Sequence, residues 1–121
     1  MQKPKIINSI SEIVNEFDTF FLDQWGVLHD GVRGYKSAIN CITKLKKLNK
    51  NLIIVSNSSK KKQETISRLK PLGYNKNYFI EVMTSGEMIW QELNNPKLQW
   101  SKKLGKNCYH LGEKNKSNFF Y

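Results

Sequence analysis

Apolar residues in this chain fall into short compact runs, and the segments between the runs carry helical periodicity. Phe20-Phe21-Leu22 ending in Asp23, Leu52-Ile53-Ile54-Val55, and Tyr78 to Met83 are runs of strand length. Such continuous runs read as strands of a buried parallel sheet. From Tyr35 to about Leu48, Ala38, Ile39, Ile42, Leu45 and Leu48 recur at helical spacing, while Lys44, Lys46 and Lys47 largely take the other face. A second helix is predicted from about Lys60, carrying Ile66 and Leu69 and stopped near Pro71 and Gly73. Two stretches have capping-box spacing: Ser9-Ile10-Ser11-Glu12, predicting a short helix through about Asn15, and Thr84-Ser85-Gly86-Glu87, predicting one through Leu93. After the Asn94-Asn95-Pro96 break and a loop, Asn107 to Leu111 reads as a fourth short strand before Gly112. Strands alternating with helices of this length mean βαβ units and right-handed crossovers, hence an α/β chain. There is no internal repeat and no low-complexity linker.

Length and composition narrow this picture without redirecting it. The 121 residues make one domain or part of one, with 39% hydrophobic and 25% charged residues, an ordinary globular balance. No apolar run approaches the ~20 residues that span a bilayer. Met1-Gln2-Lys3-Pro4-Lys5 is not followed by the apolar region of a signal peptide. Cys41 and Cys108 lie far apart without paired-ligand spacing, so neither a zinc site nor a disulfide framework is expected. A reduced, cytoplasmic protein without membrane contact is the plain reading.

The formal charge of +10 raises the question of nucleic acid. Nearly all of it is lysine, scattered along the chain; Arg33 and Arg68 are the only arginines, and Lys60-Lys61-Lys62 is the one run of three. Base readout and bidentate phosphate recognition favour arginine. A solvated basic surface that steers small anions is therefore expected, and no nucleic-acid partner.

Two strand ends carry chemistry. Asp23 closes the first predicted strand and is followed by the Gly26 turn; Ser56-Asn57-Ser58-Ser59 closes the second. Open α/β sheets bind ligands just outside the carboxyl ends of their strands. A carboxylate beside hydroxyl, amide and backbone N–H donors suits a phosphoryl group, the donors holding its oxygens while the carboxylate attacks phosphorus. Mg²⁺ is expected to bridge the two anions. Each residue also has a plainer reading: Asp23 as a turn cap, Ser58 or Ser59 as a helix N-cap.

In order along the chain, Phe21-Leu22-Asp23-Gln24-Trp25-Gly26-Val27-Leu28-His29-Asp30-Gly31 resembles the first motif of the haloacid dehalogenase superfamily. Ile54-Val55-Ser56-Asn57-Ser58-Ser59 resembles its second motif. Thr84-Ser85-Gly86-Glu87 resembles the signature of the capped subgroup that includes sugar-phosphate and nucleotide monophosphatases. An Asp-x-Trp-Gly-Val first motif looks like the nearest branch. The resemblance implies a three-layer Rossmann-like parallel sheet, of which 1–121 would be the N-terminal half of the core, without the cap and the remaining strands. It also implies that Asp23 attacks phosphorus and forms an aspartyl-phosphate. By the same resemblance the Asp23 carboxylate and the Trp25 backbone carbonyl would ligate Mg²⁺, the Ser56 hydroxyl would hold a phosphate oxygen, and the Asn57 backbone would assist. The implied substrate is a small phosphorylated metabolite.

Two departures from the family pattern qualify the transfer. Trp25 stands where the family's phosphatases usually carry a general acid–base aspartate, and an indole N–H does not shuttle protons at neutral pH. That function is worth ~10²–10⁴-fold in rate. His29 or Asp30 is the candidate substitute as proton carrier, but Asp30-Gly31 reads better as turn chemistry and His29 as a loop or packing residue. Second, the later lysine and acidic metal-ligand motifs find no counterpart, since Glu113 is the only carboxylate after Gly112. The 121 residues alone are therefore expected to be inactive or nearly so, the activity belonging to a longer parent. A non-catalytic module that binds a phosphorylated ligand or a partner is the alternative. A basic nucleic-acid-binding domain and a receiver-type phosphoacceptor domain are weaker still. Nothing in the sequence speaks to oligomeric state.

Overall fold

The computed structural model describes residues 4–105, 107–109 and 111. Its centre is a three-stranded parallel sheet of β1 (Thr19–Leu22), β2 (Asn51–Ser56) and β3 (Glu81–Thr84), in that spatial order. Helix α1 (Lys36–Lys47) makes the first crossover and α2 (Lys62–Leu69) the second; α3 (Ser85–Asn94) follows β3 directly. Both crossovers step the same way across the sheet. A common right-handed sense therefore puts α1 and α2 on one face.

Burial follows the strand period of two. On β2, Leu52 and Ile54 are fully buried and Ser56 nearly so, while Val55 is exposed. Leu52, Ile54 and Val82 from the sheet meet Ile42 and Leu45 of α1 and Leu69 of α2; Leu28, Leu72, Tyr74 and Phe79 complete the cluster. The α1 stripe is the one the periodicity picks out, and Lys44, Lys46 and Lys47 gather in its last turn, where cations complement the helix dipole. Among the described residues the other sheet face is uncovered: Phe21 is 69% exposed, with Val55 and Met83 above 40%.

Several boundaries differ from the sequence expectation. The N-terminal helix is a pair of 3₁₀ turns, Ile10–Glu12 and Val14–Glu16, because Ile13 leaves helical geometry between them. The reciprocal Ser9–Glu12 capping box is present. The run from Tyr78 starts as the end of a 3₁₀ turn capped by the Asn75 side chain, so β3 begins only at Glu81. The expected fourth strand is absent at its described residues, 107–109 and 111; its His110 lies outside them. Tyr109 and Leu111 are almost fully exposed, and without a buried face an apolar alternation gains nothing from pairing. Residues 99–102, expected as loop, form the short helix α4 (Gln99–Lys102). Its start is held by Glu92 of α3, whose carboxylate accepts from the Lys97 and Leu98 amides and the Ser101 hydroxyl.

Replacing Ile54 by Ala leaves a cavity under β2 and is expected to cost about 2–5 kcal/mol in chemical denaturation; a smaller loss would place the core elsewhere. The Ser101 hydroxyl first, then the Leu98 amide, hold the Glu92 carboxyl below its ordinary range. Its contribution to folding is therefore complete above the ordinary glutamate pKa and lost as pH falls through the lowered one. The Leu98 amide resonance is expected to titrate with a midpoint below about 4.3, and a midpoint at or above that value would contradict the cap.

Candidate functional site at the carboxyl edge of the sheet

The register fixes which residues meet. Leu22 pairs with Ile54, and Ser56 pairs with Thr84. Asp23, one residue beyond β1, and Ser56-Asn57, at the end of β2, therefore emerge at one edge on neighbouring strands, which run about 4.8 Å apart. Thr84, the first residue of the third motif, stands at that edge as well. Asp23 is exposed, Ser56 buried and Asn57 exposed. Asp23 Oδ1 accepts from the Gln24 amide at 2.7 Å. Ser56 Oγ accepts from the Ser58 amide at 3.2 Å, which leaves its own proton to donate. No hydrogen bond among the described residues joins Asp23 to Ser56 or Asn57.

The loop after Asp23 is built around two carbonyls. The Gln24 carbonyl accepts from the amides of Val27, Leu28 and His29, and the Leu28 carbonyl accepts from the Tyr35 amide and the Tyr74 hydroxyl. Gly26 and Gly31 take positive φ, 75° and 93°. At Gly31 a Cβ would also collide with the Trp25 ring, which lies across it. Trp25 further packs edge-on against His29, the centroids 5.1 Å apart. His29 is buried, and its Nδ1 accepts from the Gly31 amide at 3.0 Å, which puts the ring proton on Nε2. Burial first, then the Arg68 guanidinium, hold its pKa below the usual histidine value, against the opposing pull of Asp30 and Asp23. The imidazole is thus neutral near pH 7. Asp30 is a turn residue: its Oδ1 accepts from the Val32 and Arg33 amides. Both residues take the structural parts expected of them.

The third motif clamps the second. The Thr84 hydroxyl donates to the Lys60 carbonyl at 2.6 Å, and the Gly86 amide donates to the Ser58 carbonyl at 2.9 Å. A Cβ on Gly86 would strike the Ser59 carbonyl. Thr84 Oγ1 caps α3 by accepting from the Glu87 amide, whereas the Glu87 carboxylate reaches across to the Lys62 amide at 3.1 Å. Lys61 Nζ sits 4.1 Å from the Trp90 ring centroid. Thr84-Ser85-Gly86-Glu87 therefore shapes the loop 56–62 from the side. The spacing revealed its capping half; the bond to Lys62 spans 25 positions and had no local signal.

Over residues 20–120 the chain matches the model of the haloacid dehalogenase-like hydrolase family. The chain belongs to that family. A solved structure described as a haloacid dehalogenase-like hydrolase from Brucella suis 1330 shares the fold at a TM-score of 0.66 and 24% identity. The match covers 77% of this chain and 35% of that one, so the chain spans about a third of its structural neighbour. No curated protein matches the sequence.

The fit of a divalent cation can be judged from the oxygens. No hydrogen bond among the described residues uses Asp23 Oδ2 or the Trp25 carbonyl. One carboxylate and one carbonyl, both oxygen, suit Mg²⁺, which keeps several waters and shares its sphere with substrate phosphate. No group of three or more His, Cys, Asp or Glu suited to a metal occurs among the described residues. Gly86→Ala tests the clamp: forcing the loop 56–62 away from α3 is expected to destabilise the fold by about 1–3 kcal/mol. An unchanged thermal midpoint would show that the two elements part freely.

Proposed function

We propose that this chain carries the nucleophile and phosphate-binding half of a Mg²⁺-dependent phosphomonoesterase acting on a small phosphorylated metabolite. The observation that carries the reading is the level pairing of β1, β2 and β3, which presents Asp23 beside Ser56 and Asn57 at one carboxyl edge. Asp23 Oδ2 attacks phosphorus, an O–P bond forming as the bond to the alcohol oxygen breaks and the alcohol leaves with a proton taken from solvent water. Water then attacks the aspartyl-phosphate, releasing inorganic phosphate and restoring the carboxylate. The Ser56 hydroxyl and the Asn57 amide hold the phosphate oxygens. Asp23 and the Trp25 carbonyl would hold Mg²⁺, which when bound supplies charge neutralisation between carboxylate and phosphate.

The chain is read as the first part of the core, within a cytoplasmic and capped parent. The uncovered apolar face of Phe21, Val55 and Met83 supports the partial core, because parallel sheets are ordinarily covered on both faces. Free thiols at Cys41 and Cys108 suit a reducing compartment. No helix among the described residues is long and apolar enough to cross a membrane.

One observation favours a second reading, a non-catalytic ligand-binding module. Trp25 packs on Gly31 and His29 where a proton-transferring carboxylate would stand, and neutral, buried His29 is a poor replacement. Beryllofluoride with Mg²⁺ separates the two, since it mimics the aspartyl-phosphate. At about 100-fold excess over Kd it is expected to add about 2.7 kcal/mol of stability, and Asp23→Asn is expected to abolish the effect. A melting temperature unmoved in the wild-type chain, or moved equally in Asp23→Asn, would overturn the nucleophile.

A further inference from the structure

Beside the Asp23 edge lies a small recess of about 70 Å³, walled by Gln24, Trp25, His29, Ser58, Lys60, Thr65 and Arg68. It shares the loops that carry the phosphate site, yet neither Asp23, Ser56 nor Asn57 lines it. Its polar lining is cationic or neutral. Arg68 donates one bond, from Nη2 to the Gly31 carbonyl at 2.8 Å, which aims the guanidinium at the loop after β1. Among the described residues no carboxylate lies within ion-pair distance of Arg68. Among the described residues Lys60 pairs only with Glu64, at 3.8 Å with both side chains substantially exposed, a weak pairing. Ser58 and Thr65 add hydroxyls, and His29, which lines the recess with Nδ1 already occupied, has Nε2–H as its donor. An arginine with donors to spare, a lysine, two hydroxyls and a neutral imidazole donor make a set of hydrogen-bond donors looking for acceptors.

We propose that this recess binds a second anionic group of the substrate, a carboxylate or a further phosphate, so that the preferred substrates are phosphomonoesters bearing a second negative charge. The inference rests on the phosphomonoesterase reading and deepens it. It places part of the substrate selection on Lys60 and Arg68 in the core, within one loop of the reacting phosphate. The planar fork of Arg68 suits a carboxylate or phosphate edge.

Calorimetric titration of the 121-residue chain with Mg²⁺ tests this, using 2-phosphoglycolate against ethyl phosphate, two ligands alike in chain length and phosphate but differing in the carboxylate. At 0.15 M salt, where the Debye length is about 8 Å, the overall basic charge contributes little to the difference. Phosphoglycolate is expected to bind about tenfold more tightly, the order of a charge-assisted hydrogen-bonded contact. That ratio is expected to fall toward one in Lys60→Met and in Arg68→Met. If Arg68→Met loses its fold by circular dichroism, the ratio in Lys60→Met decides. Phosphoserine and 1,3-bisphosphopropane, run as further arms, distinguish a carboxylate from a second phosphate as the preferred occupant. Equal affinity for the first two ligands, or a ratio that survives both substitutions, overturns the recess while leaving the phosphate site standing. Binding of neither ligand overturns the phosphomonoesterase reading and the recess with it.

Discussion

Everything chemical in this chain depends on parallel strands ending level. A parallel pair needs a crossover long enough to return the chain to the same end of the sheet, and α1 and α2 supply it twice. Their apolar stripes, Ile42 with Leu45 and then Leu69, press the same face of β2 and fix its register by burying Leu52 and Ile54. A slip of one residue would turn Leu52, Ile54 and Ser56 to the uncovered side. The core thereby sets the site: the packing that buries Ile54 is what brings Leu22 and Thr84 to the same edge as Ser56.

The edge is then braced from two directions. The loop after β1 folds back on the Gln24 and Leu28 carbonyls, with the Tyr74 hydroxyl anchoring Leu28 from beyond α2. The loop after β2 is held by α3 through Thr84, Gly86 and Glu87. Preorganised donors are worth more than mobile ones because they need no reorganisation when charge develops. A short loop such as 56–61 gains that rigidity from backbone contacts that any side chain on Gly86 would block.

Much of this was legible in the residues themselves. The compact runs located three strands, and Asp23 and Ser56 were placed at their ends. The strict stripe of α1 located that helix to within a residue at each end. What the sequence could not show was non-local. Tyr78 and Phe79 look like strand residues, but the Asn75 cap draws 76–78 into a turn, and Phe79 is buried against Tyr74 instead. Helix α4 depends on a carboxylate donated by α3, so neither segment carries the signal alone. The recess beside the edge was invisible for the same reason: Arg68 is 37 positions from the Gly31 carbonyl that orients it, and in the sequence it is one basic residue among many.

Trp25 draws these threads together. No hydrogen bond among the described residues uses its carbonyl, while its ring is spent on Gly31 and His29. The ring's position has a further consequence. Trp25 lines the recess together with Arg68, and burial first, then the Arg68 guanidinium, holds the His29 pKa below its usual value. Exchanging a carboxylate for an indole here therefore changes the charge of the neighbourhood as well as removing a proton carrier. An aspartate at this position would put a negative charge beside Lys60 and Arg68 and oppose any anion entering between them. With tryptophan that opposition is gone, and the basic side chains are left to act on whatever anion the edge admits.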